Sequence, residues 1–414
     1  MPGSIVFLPV EKFKLQNEVD VSLIEAGSQE VTKIDWVFPA GAVQANKPLL
    51  SSVVGNLLTE GTTSKSALEI ADTFDFYGAY LSTSSYYHNA VVTLFCLTKN
   101  LPDLLPLVED VIKNPVFDEN EIAIYINKRR QEFLMESEKV KTLAARKFYE
   151  VIFGPEHPYG RGVSSSDFDN ITRDDLIRFH QSQYQTTEMN IVVAGQPGKN
   201  ISELLNRHFG DGDFHRKAQT DRRSFQIKSD AAKFHLIEKQ GALQSALRIG
   251  RPMFNNTHPD FIALMVLNTI LGGYFGSRLM TSVREEKGLT YGIGSSLISY
   301  KKGGVWTISS EVAGEMRDEA LAAIRQEMVR LTTSLVSEGE MELVRNFMLG
   351  EMLRYFDGPF SSSDIYRTLQ ENKLDFDFYR RMEMELRTIT PERILSLAKK
   401  YLQPDDFYVV VAGK

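Results

Sequence analysis

The side chains best equipped for chemistry in this 414-residue chain stand in one stretch, Leu271–Gly294, which reads Leu-Gly-Gly-Tyr-Phe-Gly-Ser-Arg-Leu-Met-Thr-Ser-Val-Arg-Glu-Glu-Lys-Gly-Leu-Thr-Tyr-Gly-Ile-Gly. Within it Arg284 and Tyr291 lie seven residues apart. A guanidinium and a phenol are both hydrogen-bond donors, able to stabilise negative charge without a metal of their own. The spacing puts one at a helix end and the other at the start of the following strand, so both can point into a single cleft. The plainer assignments are an ion pair of Arg284 with Glu285 or Glu286 and a half-buried strand position for Tyr291. Gly272 and Gly273 are not a phosphate loop, since no Gly-Lys-Ser/Thr follows. Close backbone approach or a turn is the better reason for them.

Elsewhere the usual catalytic and metal-binding side chains are scattered. The seven histidines are His88, His157, His180, His208, His215, His235 and His258, and no two stand three or four residues apart, the spacing that aligns two imidazoles on one helical face. The one cysteine, Cys96, lies in the apolar run Val91–Leu97 and reads as packing. A single cysteine also excludes an intrachain disulfide.

The elements that must position Arg284 and Tyr291 belong to an internal repeat. Ile171–Gly195 matches Ile389–Gly413 without a gap, so one constant offset relates the two copies. Each copy predicts a Thr N-cap, an amphipathic helix, a polar turn and a β-branched strand ending in Ala-Gly. Upstream, strands at Ile34–Phe38 and Ala246–Gly250 precede apolar helices at Leu49–Leu58 and Phe261–Leu271. Hairpins follow at Tyr80–Leu97 and Thr290–Val312. A helix from Leu101 carries Leu101, Leu104, Leu105, Val108 and Ile112 on one face, and its counterpart Asp318–Leu331 carries Leu321, Ile324, Met328 and Leu331. The expectation is an α+β protein of two homologous halves, each an antiparallel sheet flanked by helices. The halves are 1–210 and 231–414, joined by a polar, aperiodic linker at 211–230.

At 43% hydrophobic and 24% charged, the composition is that of an ordinary globular protein. A net charge of −7 with no basic run speaks against nucleic-acid binding. No apolar stretch is long enough to span a membrane, and the first residues lack a signal-peptide pattern. The sequence as given therefore reads as cytoplasmic, or periplasmic if a leader has been removed.

The chain resembles the pitrilysin/insulinase family of zinc peptidases, in its shorter, processing-peptidase-like form of two halves. The resemblance rests on Leu271–Leu279 with Arg284–Tyr291. It is joined in order by Glu60-Gly-Thr62, Ser66–Asp72, Phe74–Ala79 and Phe153–Gly160. It implies a metallopeptidase-like roll with the halves related by a pseudo-two-fold clamshell arrangement. Active members carry His-x-x-Glu-His on the first long helix, which puts two imidazoles on one face with the general base beside them, and a glutamate further on completes the zinc site. At that place this chain has Ser52-Val53-Val54-Gly55-Asn56. Only Glu132, at the family's distance beyond Asn56, matches the third ligand, and alone it is expected to be a solvated or ion-paired helix residue. His157, in the family-like His-Pro-Tyr-Gly turn, is expected to pack there, and His208 and His215, flanking the linker, to be exposed.

The resemblance therefore implies a chain without zinc or other cofactor of its own. Arg284 and Tyr291 match the family pair that reaches the substrate and the tetrahedral oxyanion. The function implied is that of a zinc-less subunit, inactive alone, supplying these two residues in trans to a homologous zinc-bearing partner that cleaves unfolded or extended peptides. By itself such a chain is compatible with a homodimer. The alternative is a purely structural or assembly subunit; an autonomous peptidase of unusual chemistry has little in its favour.

Overall fold

Thr172 and Thr390, equivalent positions of the repeat, do the same work. Each hydroxyl accepts a hydrogen bond from the backbone N–H three residues on, Asp175 and Arg393, and so starts a helix. The computed structural model describes residues 5–184, 188–211 and 225–414. In the first half, strands β1 (Glu11–Lys14), β2 (Asp20–Glu25) and β3 (Val31–Phe38) lead into α1 (Leu50–Leu57) and α2 (Ala67–Phe76). The hairpin β4 (Tyr80–Ser85) and β5 (Ala90–Leu97) follows. Then come α3 (Leu101–Lys113), α4 (Glu119–Ser137), α5 (Val140–Phe153), α6 (Arg173–Gln183), β6 (Asn190–Gly195) and α7 (Ile201–Phe209).

The second half repeats this plan. It runs β7 (Phe234–Glu238), β8 (Gln244–Met253) and α8 (Phe261–Asn268), then the hairpin β9 (Thr290–Tyr300) and β10 (Gly303–Ala313). Helices α9 (Arg317–Thr333), α10 (Glu338–Tyr355), α11 (Gly358–Gln370), α12 (Asp377–Thr388) and α13 (Pro391–Tyr401) precede β11 (Tyr408–Gly413). The buried faces expected for α3 and α9 are found, with Leu321 only partly covered.

Among the described residues the first sheet has the order β1-β2-β6-β3-β5-β4 and the second β7-β11-β8-β10-β9. From β2 and from β7 onward the two orders are the same. The sheets are mixed rather than antiparallel throughout, because β6 runs parallel to β2 and β11 parallel to β7. Long helical connections permit that pairing where a tight hairpin does not. Both terminal strands end on a glycine that no other residue replaces easily: Gly195 has φ +108° and Gly413 φ +141°, and a Cβ there lies 2.2 Å from the Val31 carbonyl oxygen and 2.4 Å from that of Gln244.

The halves exchange helices. One face of each sheet is covered by helices of its own half, while α5 lies on β8 and β11 and α11 lies on β6 and β2. These helices start at Val140 and Gly358, which stand at the same offset as Ile171 and Ile389, so the exchange follows the repeat. Ala144 packs against Ala246 and Ala412, and the Phe148 ring needs Gly250, where a Cβ lies 2.6 Å from its Cζ. At the other exchange the contact is ionic. Lys33 Nζ lies 2.6 Å from Asp364 Oδ1 and 3.4 Å from Asp35 Oδ2, and Arg367 Nε lies 3.4 Å from the same Asp35 oxygen. The Lys33 and Asp35 side chains are only 10% and 1% exposed, which is tolerable because each charge is compensated.

Residues 212–224 of the expected linker lie outside the described residues. Just after them the chain runs along the end of α5, with Lys228 N donating to Phe153 O and Asp230 N to Val151 O. No helix among the described residues is long and apolar enough to cross a membrane.

Candidate functional site

Helix α1 carries the residues that stand in place of His-x-x-Glu-His, and they bond to their own helix. Asn56 Nδ2 donates to Ser52 O (2.7 Å) and Ser52 Oγ to Leu49 O (2.8 Å), the local bonding open to short polar side chains. Gly55 is closely packed: a Cβ there lies 2.6 Å from Ser85 Oγ. Glu132, on α4, is half-exposed and paired with Arg129 one turn earlier. A catalytic zinc takes three imidazole, thiolate or carboxylate ligands. One hydroxyl, one glycine, one amide and one engaged carboxylate do not fit that ion. Among the described residues no group of three or more His, Cys, Asp or Glu side chains converges as metal ligands do.

A cavity of about 420 Å³ opens beside Ser52, lined also by Ser85, Tyr87, His88, Tyr300 and Glu371. His88 Nε2 is hydrogen-bonded to Tyr159 OH. Burial first, then Lys301 and Lys302, hold its pKa at about 4, so the ring is neutral at pH 7. His157 has the packing and turn role expected: it is buried, stacks on Phe153, and its Nδ1 accepts from Tyr159 N (3.1 Å). His208 differs from expectation, being buried rather than exposed. The packing of α7 on α3 places its Nδ1 2.6 Å from Glu109 Oε2. His215 lies outside the described residues. Cys96 is buried, and burial pushes its thiol up to about 12, leaving it unreactive.

In the second half, the helical path widens at Thr269–Gly273 and again at Met280–Glu286 into π-helical turns, which are rare and frequent at functional sites. Gly272 permits the first, since a Cβ there lies 2.7 Å from Ser295 N of β9. Asn268 Oδ1 fixes it by accepting from Ser295 Oγ (2.6 Å) and Trp306 Nε1 (2.9 Å). Arg284 sits half-buried in the second wide turn, its guanidinium 4.8 Å from the centre of the Phe275 ring. Among the described residues it forms no ion pair with Glu285 or Glu286. Tyr291, the second residue of β9, is 94% exposed, not half-buried.

Tyr291 lines a cavity of about 570 Å³ with Gln244, Arg248, Ser309, Glu311 and Lys141. Arg284 is not part of that lining, so the structure places the two residues on one element junction but not around one cavity. Between this cavity and the one at Ser52 lies a third, of about 450 Å³, lined in part by Lys141, Arg146, Arg161 and Arg248. Tyr87 and Arg161 are shared with the first cavity, and Lys141 and Arg248 with that of Tyr291. Sequence reasoning missed these cations because α5 and β8 meet only through the helix exchange. One local signal existed: Arg248 is a charge inside the otherwise apolar run Ala246–Gly250.

Residues 170–348 match the family described as "Peptidase M16 inactive domain", and residues 21–150 the one described as "Insulinase (Peptidase family M16)". An uncharacterized zinc protease of Mycobacterium tuberculosis is 25% identical over 354 residues, covering 84% of this chain and 80% of that protein. The mitochondrial-processing peptidase subunit beta of Rattus norvegicus is 25% identical over 370 residues, covering 83% and 72%. The crystal structure of a peptidase M16 inactive domain from Pseudomonas fluorescens superimposes with a TM-score of 0.86 at 23% identity, covering 98% of both chains.

Proposed function

The chain belongs to the insulinase family of peptidases, M16, and from that premise we propose that it is a zinc-less subunit that binds peptide and completes the active site of a zinc-bearing homologue. The observation that carries the proposal is the state of α1: Ser52, Gly55 and Asn56 satisfy their own helix and offer no imidazole. Meanwhile the second half keeps a fully presented phenol at Tyr291, beside a cavity at the start of β9. Strand β9 is an edge strand, the kind of element to which an extended peptide adds by main-chain hydrogen bonds. Leu243 and Phe275 are exposed nearby in sequence to Gln244 and Arg284, and apolar side chains left in water around a cavity are a feature of protein interfaces.

In this reading the partner supplies the metal and general base, while this chain supplies a wall of the chamber and two donors, Tyr291 and Arg284, for charge that develops on the scissile carbonyl oxygen. The name of the rat relative, a subunit, supports a paired mode of action. The test is reconstitution with an M16 chain that contains His-x-x-Glu-His, followed by zinc analysis and cleavage of quenched fluorescent peptides. Activity should require both chains, with zinc on the partner only. Stoichiometric zinc on this chain alone overturns the proposal. Turnover unchanged by both Arg284→Ala and Tyr291→Phe leaves an assembly subunit as the reading.

A further inference from the structure

The cavity between the halves has a charge opposite to that of the chain. The protein as a whole carries −7, yet Lys139, Lys141, Arg146, Arg161 and Arg248 line this one space with Glu136 as the only acid among the described residues of its wall, and Glu136 is engaged by Lys139 at 2.6 Å. Three phenols, Tyr87, Tyr149 and Tyr159, complete the wall, the Tyr159 hydroxyl being engaged by His88 Nε2. Arg248 is the group that most lacks a partner. It is half-buried on β8, burial lowers its pKa, and among the described residues its guanidinium has neither a hydrogen bond nor an ion pair. Glu311 is near enough to oppose that lowering, and it faces Arg248 from β10 on the Tyr291 side, where no ion pair joins them among the described residues. A half-buried guanidinium with no hydrogen-bonded counter-ion keeps its donors free, and a carboxylate is the anion whose two oxygens match its fork.

We infer that this cavity is a carboxylate-binding site, with Arg248 at its centre and Lys141 at its mouth, that selects peptides by an acidic group. The inference rests on the peptide-binding reading above and adds a substrate class to it. Geometry gives the placement: Arg248 and Lys141 also line the cavity of Tyr291, so a peptide lying along β9 has its acidic group within reach of the cationic space. Two carboxylates are available on a peptide, an Asp or Glu side chain and the C-terminus, and the cavity chemistry is the same for both.

The test uses the full chain and four peptides of one Gly/Ser/Val-rich sequence, labelled with a neutral boron-dipyrromethene dye that has no free carboxylate, and carrying Glu or Gln at one position and a free or amidated C-terminus. Binding is read by fluorescence anisotropy at low salt. A bidentate charge-assisted contact predicts about tenfold or more tighter binding of the carboxylate-bearing peptide. Loss of that preference on Glu→Gln assigns it to the side chain; loss on amidation assigns it to the C-terminus. Arg248→Gln should abolish the preference, so that the carboxylate-bearing peptides bind no better than the amidated Gln peptide, and Lys141→Gln, at an exposed position, should reduce it by about threefold. Equal binding of all four peptides, or a preference that survives undiminished in a folded Arg248→Gln protein, overturns the site alone. If none of the peptides binds to the chain or to the reconstituted pair, the peptide-binding reading falls, and the site with it.

Discussion

Ser85 occupies the place that a side chain at residue 55 would fill, since a Cβ on Gly55 lies 2.6 Å from Ser85 Oγ. Ser85 holds that position by donating to Ser51 O at 3.1 Å. Its hydroxyl can rotate away only by losing this bond, worth about 1 kcal/mol. Gly55→Ala gains about 1 kcal/mol in helix propensity, so the single substitution should be close to neutral. In a Ser85→Ala background the nearest atoms are Tyr184 OH at 3.6 Å and the residue 85 Cβ at 4.0 Å, and the same substitution should stabilise by about 1 kcal/mol. Urea denaturation of the four proteins measures the coupling. Equal effects of Gly55→Ala in both backgrounds would show that Ser85 exerts no constraint.

Gly195 and Gly413 end equivalent strands with positive φ and a carbonyl oxygen in the way of any Cβ. Gly195→Ala and Gly413→Ala should each destabilise by at least about 2 kcal/mol, combining backbone strain with displacement of the neighbouring strand. Calorimetry should find both variants substantially less stable. A loss at either site no larger than that of an ordinary surface substitution contradicts the strand register described.

Acid should weaken the fold through His180. It is 3% exposed, donates from Nε2 to Ile112 O, and burial holds its pKa at about 4. The unfolded chain takes up this proton near pH 6.5, the native protein only near pH 4. Falling pH therefore favours the unfolded state across that window, while nothing from this group changes above it. By pH 5 the loss is about 2 kcal/mol. His88 acts in the same direction. A His180→Gln protein should be less stable at pH 7 but show a flatter melting temperature between pH 7.5 and 5, and an unchanged slope would remove His180 from the account.

Tyr291 and Arg284 separate function from stability. Because Tyr291 is 94% exposed, Tyr291→Phe should alter stability by less than about 0.5 kcal/mol. In the reconstituted pair it should lower kcat by about 100-fold, the scale of losing one donor to a developing oxyanion. Arg284→Ala also loses the Phe275 contact, about 0.5–1 kcal/mol. Turnover in the pair and unfolding of the single chain, measured on the same proteins, distinguish the two effects.

The repeat was legible in the sequence because its signals are local: Thr caps, helical periodicity and β-branched runs that end in glycine act within a few residues. What lay hidden depends on distant partners. Strand β3 extends through Lys33 to Val31, where a lysine interrupts the apolar pattern; Asp364 and Arg367, from the other half, make the buried charges there acceptable. His208 looked like a linker residue until α3 brought Glu109 to it. Arg284 had acidic neighbours of no consequence, and settled on an aromatic ring nine residues upstream. Tyr291 reads as an ordinary strand aromatic because nothing in its neighbours reveals that β9 is an edge.

The exchange of α5 and α11 has a bearing on how such a chain arose. A single half, cut from its twin, keeps a helix with nothing to lie on and a sheet with one apolar face in water. A half-length precursor would therefore have been stable only as a pair of copies, each lending its helix to the other. Fusion of two such copies would keep that exchange within one chain and leave each half free to diverge, as the α1 position and the start of β9 have done.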